Sequence, residues 1–133
     1  MTYALDTNII SYMLRQDKRI CERYLAESRK GHECVIPPVV YYEIKRGLLA
    51  TNAAAKARDF DVLCNEFEVG EMTTEVWDEA ARLYAVNRQI GQSIDDADLL
   101  IAAFCAINDY TLVTNNTKHF ERIDGLRFVN WAE

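Results

Sequence analysis

Asp6, Glu43, Asp96 and Asp98 are the carboxylates of this chain best placed in its sequence pattern to gather a divalent cation, with Asn116 as a neutral companion. Several carboxylates in one cleft repel each other strongly unless a cation neutralises them. Ligation by oxygen alone suits Mg²⁺ or Mn²⁺ rather than zinc. Such a cluster can activate water and steady the charge that develops on a phosphodiester. The sequence offers no rival nucleophile: it has no Gly-x-Ser-x-Gly, no Gly-rich phosphate loop and no cysteine next to a histidine.

Each residue also has an ordinary reading. Asp6 alone serves equally well as a helix cap. Glu43 alone reads as an exposed helix residue paired with Lys45 or Arg46. Asp95 is a natural cap, Asp96 can answer the helix dipole in a first turn, and Asn116 suits a cap or turn. Asp98 resists such a reading. It directly precedes the apolar run Leu99–Ile107, and a carboxylate on a helix buried all round needs a partner to offset its desolvation.

The elements that must position these groups alternate between strand and helix. Tyr3–Leu5 is a short apolar run ending in Asp6, and Thr7 and Asn8 are both able to cap the amphipathic helix that follows. Asp17 caps a second helix, closed by Gly31. Cys34-Val35-Ile36 is strand-like and stops at Pro37-Pro38, which open a helix carrying Glu43. An Ala-rich helix over 52–65 and a short edge strand at Phe67-Glu68-Val69 follow. Thr73-Thr74-Glu75 caps a long helix to about Gln89, and Gly91 breaks it. After the buried helix come a strand at Tyr110–Thr114, a short polar helix ending near Phe120, an Asp124-Gly125 turn, and a last strand at Leu126–Val129. The pattern predicts an α/β fold, a central mainly parallel sheet flanked by helices. Asp6, following its strand, then lies where ligands bind in open sheets of this kind. The aromatic residues Trp77, Tyr84, Phe104 and Phe120 read as core.

At 133 residues the chain makes a single domain, 1–133, with a core that needs no disulfides. Cys21, Cys34, Cys64 and Cys105 are scattered and read as reduced thiols, with Cys34, Cys64 and Cys105 in the core. No apolar run approaches a membrane span and no secretory signal pattern is evident, so a soluble cytoplasmic protein is expected. The net charge of −6 argues against broad electrostatic attraction to nucleic acid. It leaves room for an acidic pocket that attracts phosphate once it holds cations.

Asp6-Thr7-Asn8, Glu43 with Gly47 after it, Ile94 through Ala103, and Leu112 through Phe120 closely resemble PIN-domain proteins, and more narrowly the VapC toxins of toxin–antitoxin pairs. The likeness spans the whole chain in order. It implies a PIN-like domain and a Mg²⁺-dependent endoribonuclease, with Mn²⁺ as a substitute, cutting a structured RNA such as tRNA to leave a 5′-phosphate end. It also implies a homodimer held inactive by a cognate VapB-like antitoxin, with operator DNA bound only through the antitoxin. By motif matching, Asp6, Glu43 and Asp98 are the acidic catalytic and metal-binding residues. Asp96 matches a position that reaches a second metal, and Asn116 falls where relatives place a fourth Asp or Asn. His119 departs from the pattern, standing where an acid commonly precedes the phenylalanine. Thr7 and Thr114 are placed to orient water or a phosphate oxygen. Arg15, Lys18, Arg19, Lys45, Arg46 and Arg88 are candidate RNA-backbone contacts. Two rivals stand beside this reading: a catalytically silent PIN-like binding module, and a phospho-acceptor receiver domain, which usually carries two adjacent acids after its first strand.

Overall fold

A computed structural model describes residues Met1–Glu133. The elements in chain order are β1 (Thr2–Leu5), α1 (Thr7–Leu14), α2 (Lys18–Arg29), β2 (Glu33–Ile36), α3 (Pro38–Ala50), α4 (Ala54–Glu66), β3 (Glu68–Val69), α5 (Thr74–Gln89), α6 (Asp96–Asn108), β4 (Thr111–Val113), α7 (Thr117–Phe120) and β5 (Phe128–Val129). The sheet order is β3-β2-β1-β4-β5, and every pairing is parallel. The chain steps outward from β1 to β3, then returns to lay β4 on the other side of β1. The direction therefore switches between β1 and β4, where an open parallel sheet leaves a crevice beyond its strand ends. Asp6 and Thr114 follow those two strands. The Asp6 backbone N–H donates to Val113 O at 2.9 Å, which ties the strand ends together.

Helices on both faces explain the unbroken burial of Tyr3–Leu5, Cys34–Ile36 and Thr111–Val113. Pro38 opens α3, and Asp17 and Thr73 cap α2 and α5 as their positions suggest. The cap of α1 is Asp6 itself: its backbone is extended and its Oδ1 accepts from Thr7 N at 2.8 Å. Thr7 and Asn8 lie inside the helix, so capping and the candidate chemistry fall on one carboxylate. The Asp124-Gly125 turn, with Gly125 at φ +80°, ends a crossover through α7 rather than a hairpin, because β5 runs parallel to β4.

Three expectations about burial need correction. The helix α6 is buried from Ile101 to Cys105 but emerges at Ala106 and Ile107. Trp77 and Tyr84 are about half exposed, because Val76, Ala80, Leu83 and Asn87 set the inward stripe of α5. Phe104 and Phe120 are core. Cys34 and Cys105 are buried thiols, whereas Cys64 is only partly covered on the outer helix α4.

The far end of the sheet closes around Trp131, whose ring meets Tyr3 edge-on at 5.3 Å. Beside it, the buried carboxylate of Glu27 accepts from Tyr3 Oη at 3.3 Å and contacts His32 Nδ1 at 3.1 Å. Gly70, past β3, lies so close to the Phe104 ring that an added Cβ would overlap it.

Candidate active site

Asp6 is almost fully buried at the switch point, and donors from three residues fix its carboxylate. Besides Thr7 N on Oδ1, the Thr114 hydroxyl donates to Oδ2 at 2.7 Å and Asn8 Nδ2 donates to Oδ2 at 3.0 Å. Thr114 is fully buried at the end of β4, and its hydroxyl also accepts from Asn116 N at 3.0 Å. Asn8 Oδ1 in turn accepts from Asn115 N at 3.0 Å, and Asn115 Nδ2 donates to Tyr12 Oη at 2.9 Å. The segment after β4 is thus clamped onto the first turn of α1, with Asp6 at the centre.

Thr7 links Asp6 to Glu43. Its backbone N–H donates to Asp6, and its hydroxyl donates to Glu43 Oε1 at 2.9 Å. The supposed ion pair of Glu43 with Lys45 does not form, because Lys45 instead reaches Asp61 at 3.5 Å. Glu43 also lines a groove between α1, α3 and α4 whose rim carries Arg15 and Lys56.

Asp98 approaches from the first turn of α6. Burial pushes its carboxyl above the usual range; the charges of Asp6 and Asp95 add to this, and nearby His119 opposes it. His119 Nδ1 stands 3.2 Å from Asp98 Oδ2. A relay of contacts runs from Asp98 through His119, Asn116 and the Thr114 hydroxyl to Asp6, linking the start of α6 to the end of β1.

Asp96 is not brought into that site. It is exposed and lines a groove with Trp77 and Tyr84 on the α5 side of α6. Residues two apart on a helix point to nearly opposite sides, so Asp96 and Asp98 diverge. Asn116 contributes its backbone N–H to Thr114, while its exposed side chain makes no hydrogen bond to the carboxylates. The part played by Asn8 as a direct donor to Asp6 goes beyond the sequence reading. Its signal was a polar amide two residues after a strand-end acid.

No three acidic, histidine or cysteine side chains close around a single point. Mg²⁺ does not require that. It commonly takes one or two carboxylates and keeps waters in its other positions. Asp6, oriented by three donors, and Asp98, raised by burial and by Asp6, form an all-oxygen pair whose mutual repulsion a divalent cation would relieve. The residues fit such an ion, with Glu43 standing behind Thr7.

A family model described as PIN domain matches residues 3–126. The chain is similar to "Ribonuclease VapC2" of Rickettsia felis, 29% identical over 132 residues that cover 98% of each chain. It is also 26% identical to "tRNA(fMet)-specific endonuclease VapC" of Shigella flexneri, over 99% of each. Among solved structures, VapBC2 from Rickettsia felis bound to a DNA fragment from its promoter contains a chain that superposes with a TM-score of 0.91. The identity there is 27%, with 98% of this chain and 99% of that chain covered.

Proposed function

The chain belongs to the PIN domain family and is a VapC-type ribonuclease, and on that premise we propose that it is the Mg²⁺-dependent endoribonuclease toxin of a type II toxin–antitoxin pair. The observation that supports this reading is Asp6 at the switch point between β1 and β4, joined through Thr7 to Glu43 and through Thr114, Asn116 and His119 to Asp98. The substrate class we propose is a structured RNA such as tRNA, on the strength of the Shigella flexneri relative's name. Mn²⁺ is expected to substitute.

When bound, Mg²⁺ supplies positive charge that stabilises the phosphodiester's developing negative charge and makes water easier to deprotonate. Asp6 and Asp98 would hold it. The three donors on Asp6 keep its carboxylate in one orientation, so little reorganisation is needed on binding. Thr7 fixes Glu43 through one oxygen and leaves the other without a hydrogen bond, free to accept a proton from attacking water. Arg15 and Lys56 at the groove rim offer contacts to RNA phosphates flanking the cut. Expulsion of the 3′ oxygen leaves a 5′-phosphate end.

The partner we propose is a VapB-like antitoxin that carries a basic or aromatic segment into the acidic crevice and confers operator DNA binding on the complex. The chain has no helix long and apolar enough to cross a membrane, and we place its action in the cytoplasm. A homodimer is expected, with the exposed Trp77 and Tyr84 of α5 as the apolar face offered to a second copy.

The deciding experiment is cleavage of total cellular RNA by the purified protein with Mg²⁺, with Mn²⁺ and with EDTA, beside Asp6→Asn. Discrete fragments with 5′-phosphate ends that require metal and vanish in the variant are the expected result. Equal cleavage by the variant, or cleavage in EDTA, would overturn it. Failure to cut any RNA would favour the silent binding module.

A further inference from the structure

We propose that His119 is a direct ligand of the cation site, and that its imidazole nitrogen shifts the preference of that site from Mg²⁺ toward Mn²⁺. The inference rests on the metal-dependent reading above and adds a ligand to it. His119 Nδ1 lies 3.2 Å from Asp98 Oδ2. Adjacent ligands of an octahedral cation with bonds of about 2.1 Å stand about 3.0 Å apart, so the pair already has the spacing of two neighbouring ligands. With a cation between them, Nδ1 presents its lone pair and the ring proton resides on Nε2.

The position of the imidazole is prepared by the fold. Phe120, the next residue, is fully buried and anchors α7 in the core. His119 N donates to Asn116 O at 3.0 Å, and Asn116 N donates to the Thr114 hydroxyl that grips Asp6. One short segment therefore sets both the imidazole and the Asp6 carboxylate. The His119 ring is itself about half exposed, with Asp98 as its only polar side-chain partner, so it can adjust without breaking other contacts.

Ligand type then decides the consequence. Asp6, Glu43 and Asp98 offer only hard oxygens, which suit Mg²⁺. An all-oxygen set serves Mg²⁺ and Mn²⁺ alike, but an imidazole nitrogen is a poorer ligand for the hard Mg²⁺ than for a first-row transition ion, so one such ligand tilts the choice between the two toward Mn²⁺. The other histidine, His32, sits with Glu27 and Tyr3 at the opposite end of the sheet and does not compete.

The test uses the whole protein, stripped of metal and loaded with one equivalent of Mn²⁺. Pulsed electron paramagnetic resonance should detect a ¹⁴N coupling to the ion that persists in His32→Ala and is lost in His119→Asp. Calorimetric titrations should show the ratio of Mn²⁺ to Mg²⁺ affinity falling about tenfold in His119→Asp, which restores an all-oxygen set. Mn²⁺ binding without nitrogen coupling, or an unchanged affinity ratio, would reduce His119 to a hydrogen-bond partner of Asp98 and leave the nuclease reading intact. Absence of binding by either metal would overturn the metal site and His119's part in it together.

Discussion

The Thr114 hydroxyl donates to Asp6 Oδ2 at 2.7 Å, joining residues 108 apart in sequence across the gap between β1 and β4. Both groups are buried, so each lacks water to replace the other. The same hydroxyl accepts from Asn116 N. One oxygen thus fixes the direction of the Asp6 carboxylate and the start of the segment that carries His119.

Replacing Thr114 with Val keeps the shape and removes the hydrogen bonds to Asp6 Oδ2 and from Asn116 N, together with a longer one from Asn8 Nδ2 at 3.5 Å. Asn116 N loses its acceptor and Asp6 keeps donors only from Thr7 and Asn8. We expect a stability loss of about 1–3 kcal/mol in urea denaturation. Cleavage should fall by about tenfold, as reorientation of Asp6 weakens the site. Thr114→Ser, which retains the hydroxyl, should recover most of both; a Val variant as active as the parent would remove Thr114 from this role.

Asp98→Asn should abolish metal-dependent cleavage while the fold persists. Its effect on stability follows from the raised carboxyl. A folded pKa above the unfolded value means that the ionised form is the less favoured one in the folded protein, and that stability declines as pH rises through it. In EDTA at neutral pH, therefore, Asp98→Asn should leave stability unchanged or raise it. A large loss in thermal unfolding would mean that Asp98 serves the structure.

How much of this was legible follows helix phase and distance along the chain. Asp6 and Asp98 could be found because each interrupts an apolar run at an element boundary. Asp96 and Asp98 could not be told apart, since sequence places them together, and only the start of α6 at Asp96 reveals that they face opposite ways. Trp77 and Tyr84 lie outside the core for a related reason: α5 has enough apolar residues for two stripes, and packing against α6 selects the one through Val76, Ala80 and Leu83. The Thr114 and Asn8 contacts depend on chain closure between β1 and β4, which no local pattern encodes.

Acid sensitivity should arise away from the active site, at Glu27. Burial pushes its carboxyl up, but the hydrogen bond from His32 and the charges of Lys30 at 3.6 Å and Arg23 at 3.5 Å outweigh that and hold it below the usual range. A depressed folded pKa gives stability that is present above the unfolded value, about 4.3, and is lost as pH falls through the folded one. Glu27→Gln should cost about 1–3 kcal/mol at pH 7 and show a shallower decline than the parent between about pH 5 and 3. Parallel pH–stability curves would refute this origin.

Gly70→Ala tests the packing of β3 against α6. The added methyl meets the Phe104 ring, which is itself buried and cannot swing into solvent. We expect about 1–3 kcal/mol of destabilisation from overpacking. Phe104→Leu in the Gly70→Ala background should recover part of it, since a smaller side chain admits the methyl. Additive losses in the double variant would show that the two positions do not share a contact.

RNA binding by an acidic protein requires its cations to be local, and the groove beside Glu43 places Arg15 and Lys56 on one rim. Each phosphate contact releases condensed counterions, so its loss should lower the slope of log affinity against log salt by about 0.7–0.9, from the single-stranded to the duplex limit of a structured RNA. Arg15→Gln and Lys56→Gln, measured in an Asp6→Asn background that leaves RNA uncut, should each reduce the slope by about that amount, and together by about twice as much. Arg127 offers the comparison. It is held by Asp109 at 2.6 Å just before β4, at the end of the sheet away from Asp6. Arg127→Gln alters net charge equally, so a slope change as large as that of Arg15→Gln would mean that overall charge, and not the groove, governs binding.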